Sequence, residues 1–185
     1  SQSSQKQLIS WGVNPQKISL YRYWIDLKKF TPAKVNPKKL TFIFVGRLIK
    51  KKGIILYLKL AQKFSQYNFL VIGTGPEKNL VLKYCQQLSN LKYLGTDPIY
   101  QQASVLLTPS LYQEGYGRVV MEAVACDLPV IASNYGGLTE ALDNSVAILI
   151  KPTFKNFSRA IEEISQPSKY QSLQKKCRHY ALNKF

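Results

Sequence analysis

Short apolar runs alternate with stretches of helical periodicity from about residue 40 onward. Nearly continuous apolar segments of this length indicate strands that are covered on both faces. We predict six of them, at 40–45, 68–72, 91–94, 105–107, 128–132 and 146–150. The intervening segments repeat apolar positions every three or four residues, which is typical of amphipathic helices. These helices are predicted at 54–64, 77–88, 98–103, 117–126, 137–142, 153–164 and 167–183.

Strands that alternate with helices, without a visible internal repeat, predict a fold of the α/β class. We expect a Rossmann-like, doubly wound, mainly parallel six-stranded sheet with helices on both faces. Such sheets bind ligands at the carboxyl ends of their strands, near a switch in strand order. The unusual residues of this chain follow predicted strands, so we expect them to line one edge and one cleft. They lie at 46–47, 73–75, 110–117 and 133–137.

The first part of the chain is less regular. Residues 1–10 are polar with little pattern, and 11–15 is typical of a helix end followed by a turn. A short strand is plausible at 18–21, and lysines and prolines mark 26–37 as a connector.

Composition adds a core and a strong positive charge to this picture. The 185 residues are 45% apolar, which suits one domain, or one domain and a short tail. The formal net charge of +16 implies an anionic partner: nucleic acid, a phosphate-rich small molecule or an acidic membrane surface. No run has the length of a membrane-spanning helix, and the N-terminus lacks the apolar core of a signal peptide. Because the chain does not begin with Met, we expect a fragment or a processed chain.

The cysteines and the histidine do not indicate a metal site. Cys85, Cys126 and Cys177 are far apart and form no CxxC pair, which favours a reducing compartment and buried or inert thiols. His179 is expected at the surface. Since no cluster has the spacing of metal ligands, we predict no metal held by the protein. No cofactor is predicted either.

The first predicted strand-to-helix turn carries two cations suited to phosphate. Arg47 offers a planar fork and Lys52 a mobile point charge, and close to a helix N-terminus they would clamp a diphosphate. The neighbouring Lys50 and Lys51 are expected to be solvated.

The second turn contains Gly73 and Gly75. Glycine there either lets the backbone approach a ligand or simply meets a need for positive φ. The full dinucleotide fingerprint is absent, so nicotinamide and flavin are not predicted.

The densest set of candidate groups lies at 108–122, where a strand, a glycine-rich turn and a helix follow one another. Glu114 lies in the turn, where it either caps the helix or faces a ligand. Glu122 lies inside an apolar helix, where burial of a carboxylate is energetically unfavourable unless it has a partner. Of the two carboxylates it is therefore the stronger candidate for a special role. Together they could hold two hydroxyl-bearing parts of one ligand beside the positive end of the helix.

These residues resemble those of the C-terminal, donor-binding half of family 4 retaining glycosyltransferases, which have the two-domain GT-B fold. The most specific block is the motif of Glu114, seven residues and Glu122. Gly46-Arg47 with Lys52-Gly53 is a second block, and 129–140 is a third. The chain departs from the family at the hinge, where it reads Tyr23-Trp24, and at Asp127, where glycine is usual. Asp adopts left-handed backbone more readily than most residues, so we expect the turn to survive.

The resemblance implies a role for each candidate residue. Arg47 and Lys52 would hold the diphosphate of a nucleotide sugar, and Glu114 would bind the transferred sugar. These three are the implied catalytic residues. Glu122 would accept hydrogen bonds from the ribose. The implied donor-binding residues are Glu122, Gly115, Tyr116, Gly117, Arg118, Gly46, Gly73 and Gly75.

The implied activity is that of a hexosyltransferase-type glycosyltransferase. It would transfer a sugar, with retention, from a UDP- or GDP-linked donor to a glycan or lipid-linked acceptor, without a metal. Residues 1–36 would be a remnant of the N-terminal, acceptor-binding domain with the hinge, and 37–185 the nucleotide-sugar-binding domain. Because half the cleft is absent, the chain alone is expected to turn over little or nothing. We expect a cytoplasmic location, and the charge suggests peripheral contact with an anionic membrane.

Two other classes remain open. A basic nucleic-acid-binding module would explain the charge, but no recognised reading motif is present, which disfavours nucleic acid as a partner. A catalytically inactive interaction domain would keep the fold and lose nucleotide binding. The intact Arg47, Lys52, Glu114 and Glu122 argue against it.

Overall fold

Six parallel strands form the centre of the structure, a computed structural model that describes residues 1–21, 24–32 and 39–185. The strands lie in the order β3-β2-β1-β4-β5-β6. Their bounds are β1 Thr41–Val45, β2 Asn68–Ile72, β3 Leu91–Tyr93, β4 Val105–Thr108, β5 Val130–Ser133 and β6 Ala147–Ile150. The strand order reverses between β1 and β4, so the crevice that such sheets offer to ligands lies there, at the carboxyl ends.

Helices cover both faces of this sheet. They are α1 Gln2–Ser10, α2 Ile54–Lys63, α3 Lys78–Gln87, α4 Arg118–Ala125, α5 Leu138–Ala141, α6 Phe154–Ile164 and α7 Pro167–Lys184. Side chains alternate along β1, as a strand's geometry requires. Phe42 and Phe44 pack with α2, α3 and α6, whereas Ile43 packs with α4, α5 and the end of α7. The predicted Rossmann-like, doubly wound α/β fold is therefore confirmed, and the sheet is entirely parallel within the described residues.

The sheet opens where its order reverses. Five residue pairs join β1 to β2, but β1 joins β4 only through the pairs Phe42 with Val105 and Ile43 with Leu106. Toward its carboxyl end, Thr108 of β4 pairs with β5 instead. The ends of β1 and β4 are thus free to carry the loops on either side of the crevice.

The first 21 residues match the prediction only in part: the helix end and turn predicted at 11–15 are confirmed, since the first helix ends at Ser10 and a turn follows at 11–12. Residues 2–10 form α1, which has no buried residue. Its first backbone N–H groups are held by a remote carboxylate, since those of Gln2 and Ser3 each donate to Glu140 at 2.7 Å. The strand predicted at 18–21 is wrong, because this segment is irregular and pairs with no described strand that could satisfy its backbone groups. Residues 98–103 form only a short 3₁₀ turn, Tyr100–Gln102.

Arg178 of α7 ties the segment before the sheet to the rest of the molecule. Its guanidinium donates to the carbonyls of Leu27, Phe30 and Ala125 at 2.9, 2.6 and 2.9 Å. Its backbone N–H donates to Asp127, which has a φ of 63°. The left-handed turn predicted at Asp127 is thereby confirmed, and burial raises the pKa of its carboxyl above the usual range. The predicted domain boundary at 36–37 and the hinge residue Tyr23 lie outside the described residues.

The cysteines and the histidine lie as the sequence suggested. Cys126 and Cys177 are buried and Cys85 is half-buried. Burial raises the pKa of all three thiols, that of Cys126 to about 12, so little thiolate forms at neutral pH. His179 is exposed. Within the described ranges, no helix is both long and apolar enough to cross a membrane, and no three His, Cys, Asp or Glu side chains are grouped as metal ligands.

Candidate functional site

Four loops meet at the carboxyl edge of the sheet and form one connected rim. They follow β1, β2, β4 and β5, and backbone hydrogen bonds join neighbours to each other. These bonds run from Leu48 N to Thr74 O at 2.8 Å, from Leu111 N to Lys51 O at 2.8 Å, and from Gly137 N to Glu114 O at 2.9 Å. Backbone hydrogen bonds therefore fix the positions of the loops that form the rim, and with them the positions of their side chains.

Several glycines are required where these backbones touch. A Cβ on Gly73 would lie 1.8 Å from the carbonyl oxygen of Gly46, and one on Gly137 would lie 1.3 Å from that of Gly115. Gly75 is likewise closed in by the backbone of Leu48, at 2.6 Å. The predicted donor-binding residues Gly73 and Gly75 thus have a packing reason to be glycine. A Cβ on Gly46 or Gly115 would meet nothing within 4 Å, so the backbone there is open to a ligand.

Lys52 and Glu114 form an ion pair across the crevice. Lys52 ends the 3₁₀ turn Lys50–Lys52 after β1, and its Nζ lies 2.6 and 2.7 Å from the two carboxylate oxygens of Glu114 in the loop after β4. Ser110 also donates to Glu114, and so does Tyr112 at 3.3 Å. The pair spans the reversal of strand order, with Glu114 only 9% exposed. The alternative role of Glu114 as a helix cap is wrong, because Gly117 is the N-cap residue of α4 and no side chain caps the helix.

Arg47 lies on the same loop as Lys52 and is exposed. It forms no ion pair with a described residue, whereas Lys52 already holds a carboxylate. Lys50 and Lys51 are exposed, as predicted. The loop after β1 therefore offers an anion two cations: Arg47, which has no ion-pair partner among the described residues, and Lys52, which is already paired with Glu114.

Glu122 has the partner that its burial requires. Its side chain lies within α4 and is 6% exposed, and the hydroxyl of Tyr100 donates to Oε2 at 2.6 Å. The exposed Arg118 approaches the other oxygen, Oε1, at 3.5 Å. Burial and the nearby Glu122 carboxylate raise the pKa of Tyr100 well above its usual range, so its hydroxyl remains a donor.

The turn between the two carboxylates presents backbone to the rim. Gly117 has a φ of 76°, and α4 starts directly after it without a side-chain cap. The N–H of Val120 donates to the carbonyl of Gly117 at 3.0 Å, whereas no side chain caps the N–H groups of Arg118 and Val119, which can therefore bind the oxygens of a ligand. Gly115 and Arg118 are exposed there, while the half-buried side chain of Tyr116 packs against the apolar core beneath.

The structure brings most of the predicted residues together on one rim. Lys52 and Glu114 pair across the crevice, Arg47 lies on the same loop as Lys52, and Glu122 lies further along α4. Sequence reasoning missed Tyr100, which holds Glu122. It placed the stretches 110–117 and 133–137 at the cleft, but it gave no role to Ser110 and Tyr112, which hold Glu114, or to Gly137, which docks the loop after β5. Of these roles, only that of Gly137 carried a sequence signal, as part of the pair Gly136-Gly137 directly after a predicted strand.

Comparisons with known proteins agree on the kind of domain. A family profile described as glycosyl transferases group 1 matches residues 27–184. A human phosphatidylinositol N-acetylglucosaminyltransferase subunit is 27% identical over 176 residues, which cover 87% of this chain and 36% of that protein. This chain thus spans little more than a third of that curated relative.

Solved structures share the fold at low sequence identity. The crystal structure of Anabaena HepE in complex with UDP-glucose matches with a TM-score of 0.87 at 19% identity, over 100% of this chain and 58% of that chain. The C-terminal domain of the Francisella tularensis group 1 glycosyl transferase LpcC matches with a TM-score of 0.72 at 20% identity. That match covers 86% of this chain and 97% of the solved domain.

Proposed function

Because this chain belongs to the group 1 glycosyl transferases and has the fold of the C-terminal half of a GT-B enzyme, we propose that it binds the sugar donor for a retaining transfer. The donor is a UDP- or GDP-linked sugar, and the acceptor is a glycan or a lipid-linked saccharide. The observation that carries this proposal is the Lys52–Glu114 pair across the crevice, with the available Arg47 beside it. That HepE has been solved with UDP-glucose supports the donor class.

In this proposal the two cations act on the diphosphate. Negative charge grows on the diphosphate as the glycosidic bond breaks, and positive groups fixed nearby stabilise that charge. Arg47 contributes a charge that no described carboxylate neutralises. Lys52 is held 2.6 Å from Glu114, so it connects the diphosphate to the carboxylate that faces the sugar. Glu114 accepts hydrogen bonds from the sugar's hydroxyls, and Ser110 and Tyr112 keep it oriented.

The transferred sugar passes through an oxocarbenium-like state, which a nearby carboxylate also stabilises. The departing diphosphate oxygen lies on the same face as the incoming acceptor hydroxyl and takes its proton, so the anomeric configuration is retained. Backbone N–H groups at the start of α4 donate to phosphate and sugar oxygens. Glu122 accepts hydrogen bonds from the ribose through the oxygen that Tyr100 does not occupy.

A second domain completes the cleft in this proposal. HepE is longer than this chain, which covers 58% of it. Large apolar side chains are exposed in the N-terminal segment, and these are Leu8, Ile9, Trp11, Val13, Leu20, Tyr21 and Trp24. Two of them, Tyr21 and Trp24, line a cavity of about 360 Å³ together with Phe30 and Arg118. An acceptor-binding domain packed there would cover this surface, so the chain alone is expected to bind donor without efficient turnover.

The proposed location is the cytoplasm, at the face of a membrane that carries the acceptor. The +16 net charge supports this location, because basic surfaces are drawn to anionic lipid headgroups.

Calorimetric titration of the 185-residue chain with UDP and with GDP tests the donor site directly. We expect one of them to bind, and Lys52→Ala and Glu122→Ala each to weaken that binding by about tenfold or more. Lys63→Ala is the matched control, since Lys63 lies at the far end of α2 and pairs with Glu162 at 3.3 Å. Failure of both nucleotides to bind at millimolar concentration would contradict the proposal.

A further inference from the structure

The two oxygens of the Glu122 carboxylate have different surroundings. Oε2 faces the interior and accepts a hydrogen bond of 2.6 Å from the hydroxyl of Tyr100. Oε1 faces Arg118, whose side chain is 69% exposed, at 3.5 Å. A contact of 3.5 Å is long for a charge-assisted hydrogen bond, so the outer oxygen is held only loosely. A ligand can therefore reach Oε1 but not Oε2.

The position of Tyr100 does not depend on Glu122. Tyr100 lies in the 3₁₀ turn before β4 and is 1% exposed. Its ring packs edge-on against Phe30, with 6.0 Å between the ring centroids. Phe30 is in turn anchored by Arg178, which donates to its carbonyl at 2.6 Å. The Tyr100 hydroxyl is thus a fixed donor that the apolar core aims at Glu122.

A fixed donor on one oxygen sets the direction of the other. A buried carboxylate on a flexible Glu side chain would otherwise turn about its terminal torsion, which has broad minima. With Oε2 fixed by Tyr100, Oε1 points outward in one orientation and needs no reorganisation when a hydroxyl arrives. Prior orientation of this kind increases affinity because the entropy of ordering is not lost on binding.

We propose that Tyr100 is a positioning residue that fixes Glu122 for recognition of ribose hydroxyls, and so confers selectivity for ribonucleoside diphosphates. This inference rests on the proposed donor site above. It adds a residue outside the glycine-rich rim to the specificity of that site. Tyr100 acts through Glu122 and makes no contact of its own with the ligand.

The test compares UDP with 2′,3′-dideoxy-UDP, which lacks both ribose hydroxyls, by calorimetry on the full chain and on Tyr100→Phe. If GDP is the better ligand, GDP and its dideoxy analogue are used. The variant keeps the ring in the core and removes only the hydroxyl. We expect Tyr100→Phe to lower the affinity for UDP by about tenfold, a typical effect for a hydrogen bond to a charged group. The affinity for the dideoxy analogue should not change.

Two further variants separate positioning from a structural effect. Tyr57→Phe is the matched control, since Tyr57 is also fully buried but lies on the opposite face of the sheet from Tyr100. Its hydroxyl is shared between the backbone carbonyls of Phe42 and Leu70. This variant should lower the melting temperature and leave the ratio of the two affinities unchanged. Glu122→Gln should lose the same selectivity as Tyr100→Phe, and the double variant should lose little more, because the two residues act as one unit.

The outcomes are distinct. If the unmodified chain binds neither nucleotide, the proposed function fails and this inference fails with it. If the unmodified chain prefers UDP and Tyr100→Phe keeps that preference, or weakens both ligands equally, the positioning role alone is overturned.

If Tyr100→Phe does not fold, NMR on the unmodified chain tests the same inference. The buried Tyr100 hydroxyl proton should be observable by NMR because its exchange with water is slow. Its resonance should shift on addition of UDP but not of saturating dideoxy-UDP. An equal shift with both ligands, or none with either bound, would overturn the inference.

Discussion

At the residue scale, Lys52 and Glu114 each neutralise the charge of the other. The side chain of Lys52 is 20% exposed and that of Glu114 is 10% exposed, so neither charge is fully hydrated. Ion pairs of this kind add little net stability, but removal of one partner leaves the other charge partly buried and unpaired. Glu114 would then keep only the hydroxyl contacts from Ser110 and Tyr112. Stability and ligand binding can therefore be separated by substitutions at these two positions.

Lys52→Met should lower the free energy of unfolding by about 1–2 kcal/mol, below the usual range for a fully buried pair because this one is partly exposed. Adding Glu114→Gln should restore most of that stability, because the unpaired charge is removed. Nucleotide binding should be lost in the single variant and should stay lost in the double variant. Urea denaturation and calorimetry measure the two quantities. A double variant no more stable than Lys52→Met would show that the pair is not what couples these residues.

Glu122 could be singled out from sequence because a carboxylate inside an apolar helix violates the local pattern and requires an explanation. Its donor could not be identified in the same way. Tyr100 lies 22 residues earlier, in a segment whose only local signal was a short helix. Ser110 was placed at the cleft with the rest of 110–117, but its contact with Glu114 could not be predicted, since a serine after a strand is ordinary. Contacts set by packing leave little trace in the local sequence, whereas residues that break a local pattern can be recognised from it.

At the scale of elements, the site depends on how closely the four rim loops approach one another. The loop after β5 touches the loop after β4, where the N–H of Gly137 donates to the backbone carbonyl of Glu114 at 2.9 Å. The same approach brings the Gly137 Cα so near to the carbonyl of Gly115 that no side chain fits. Gly115 itself faces open space. The two positions should therefore respond differently to the same substitution.

Gly137→Ala should lower stability by about 1–3 kcal/mol, the usual cost of forcing extra volume into a packed site. Gly115→Ala should leave the melting temperature within about 2 °C of the unmodified chain, as most substitutions into open space do. It should nevertheless weaken nucleotide binding, because the new methyl group occupies the space where the donor approaches the backbone. Thermal unfolding and calorimetry on both variants test this contrast. Unchanged nucleotide affinity in a folded Gly115→Ala would place the donor elsewhere.

Helix α1 depends on a carboxylate from another element. It has no buried residue, and Glu140 of α5 accepts hydrogen bonds from the N–H groups of Gln2 and Ser3. A negative charge at a helix N-terminus stabilises the helix through its dipole. The contact also links the N-terminal segment to the helix that follows the Gly136-Gly137 turn of the rim.

Glu140→Gln should destabilise α1 locally by about 0.5–1 kcal/mol, because the charge that complements the helix dipole is removed. Hydrogen exchange measured by mass spectrometry should then be faster by severalfold in a peptide covering residues 1–13, with little change elsewhere. Glu162→Gln is a suitable control, since among the described residues Glu162 forms an ion pair only with the exposed Lys63. Equal protection of α1 in the two variants would show that Glu140 does not hold it.

Sequence patterns correctly predicted the helices and strands whose position is determined by the apolar pattern of their own residues. The strands and helices from β1 to α7 were placed within two residues of their bounds, because their apolar patterns match the faces they bury. The end of helix α1 was predicted at 11–15, but its body at 2–10 was not assigned, because the carboxylate that stabilises its N-terminus lies 138 residues away. The strand predicted at 18–21 failed for the opposite reason: its local pattern was right, but it has no described strand to pair with.

For the molecule as a whole, the charge is more one-sided than the composition alone suggests. Most of the acidic side chains already have partners within the protein. They include Glu114 with Lys52, Glu122 with Tyr100, Asp127 with Arg178, Glu140 with α1, Asp143 with Ser145, Glu162 with Lys63 and Glu163 with Lys169. Many basic side chains therefore face solvent without a neutralising neighbour. This surface is what a membrane-associated enzyme would present to anionic lipid.

The chain should sediment with vesicles that contain phosphatidylserine and should stay in solution with vesicles of phosphatidylcholine alone. Raising the salt concentration from about 0.1 M to about 1 M should release it, because the Debye length falls from about 10 Å to about 3 Å. Equal sedimentation with both vesicle types would contradict a membrane role for the charge. Tighter, salt-sensitive binding to duplex DNA or to RNA than to these vesicles would favour the nucleic-acid-binding alternative.

The most direct test of the donor site is a crystal structure of this chain with a bound nucleotide sugar such as UDP-glucose. We predict that the diphosphate lies between Arg47 and Lys52 at the start of α4, with the ribose hydroxyls on Oε1 of Glu122 and the sugar beside Glu114. A ligand bound away from the crevice between β1 and β4, or one bound there without contact to either carboxylate, would contradict this account.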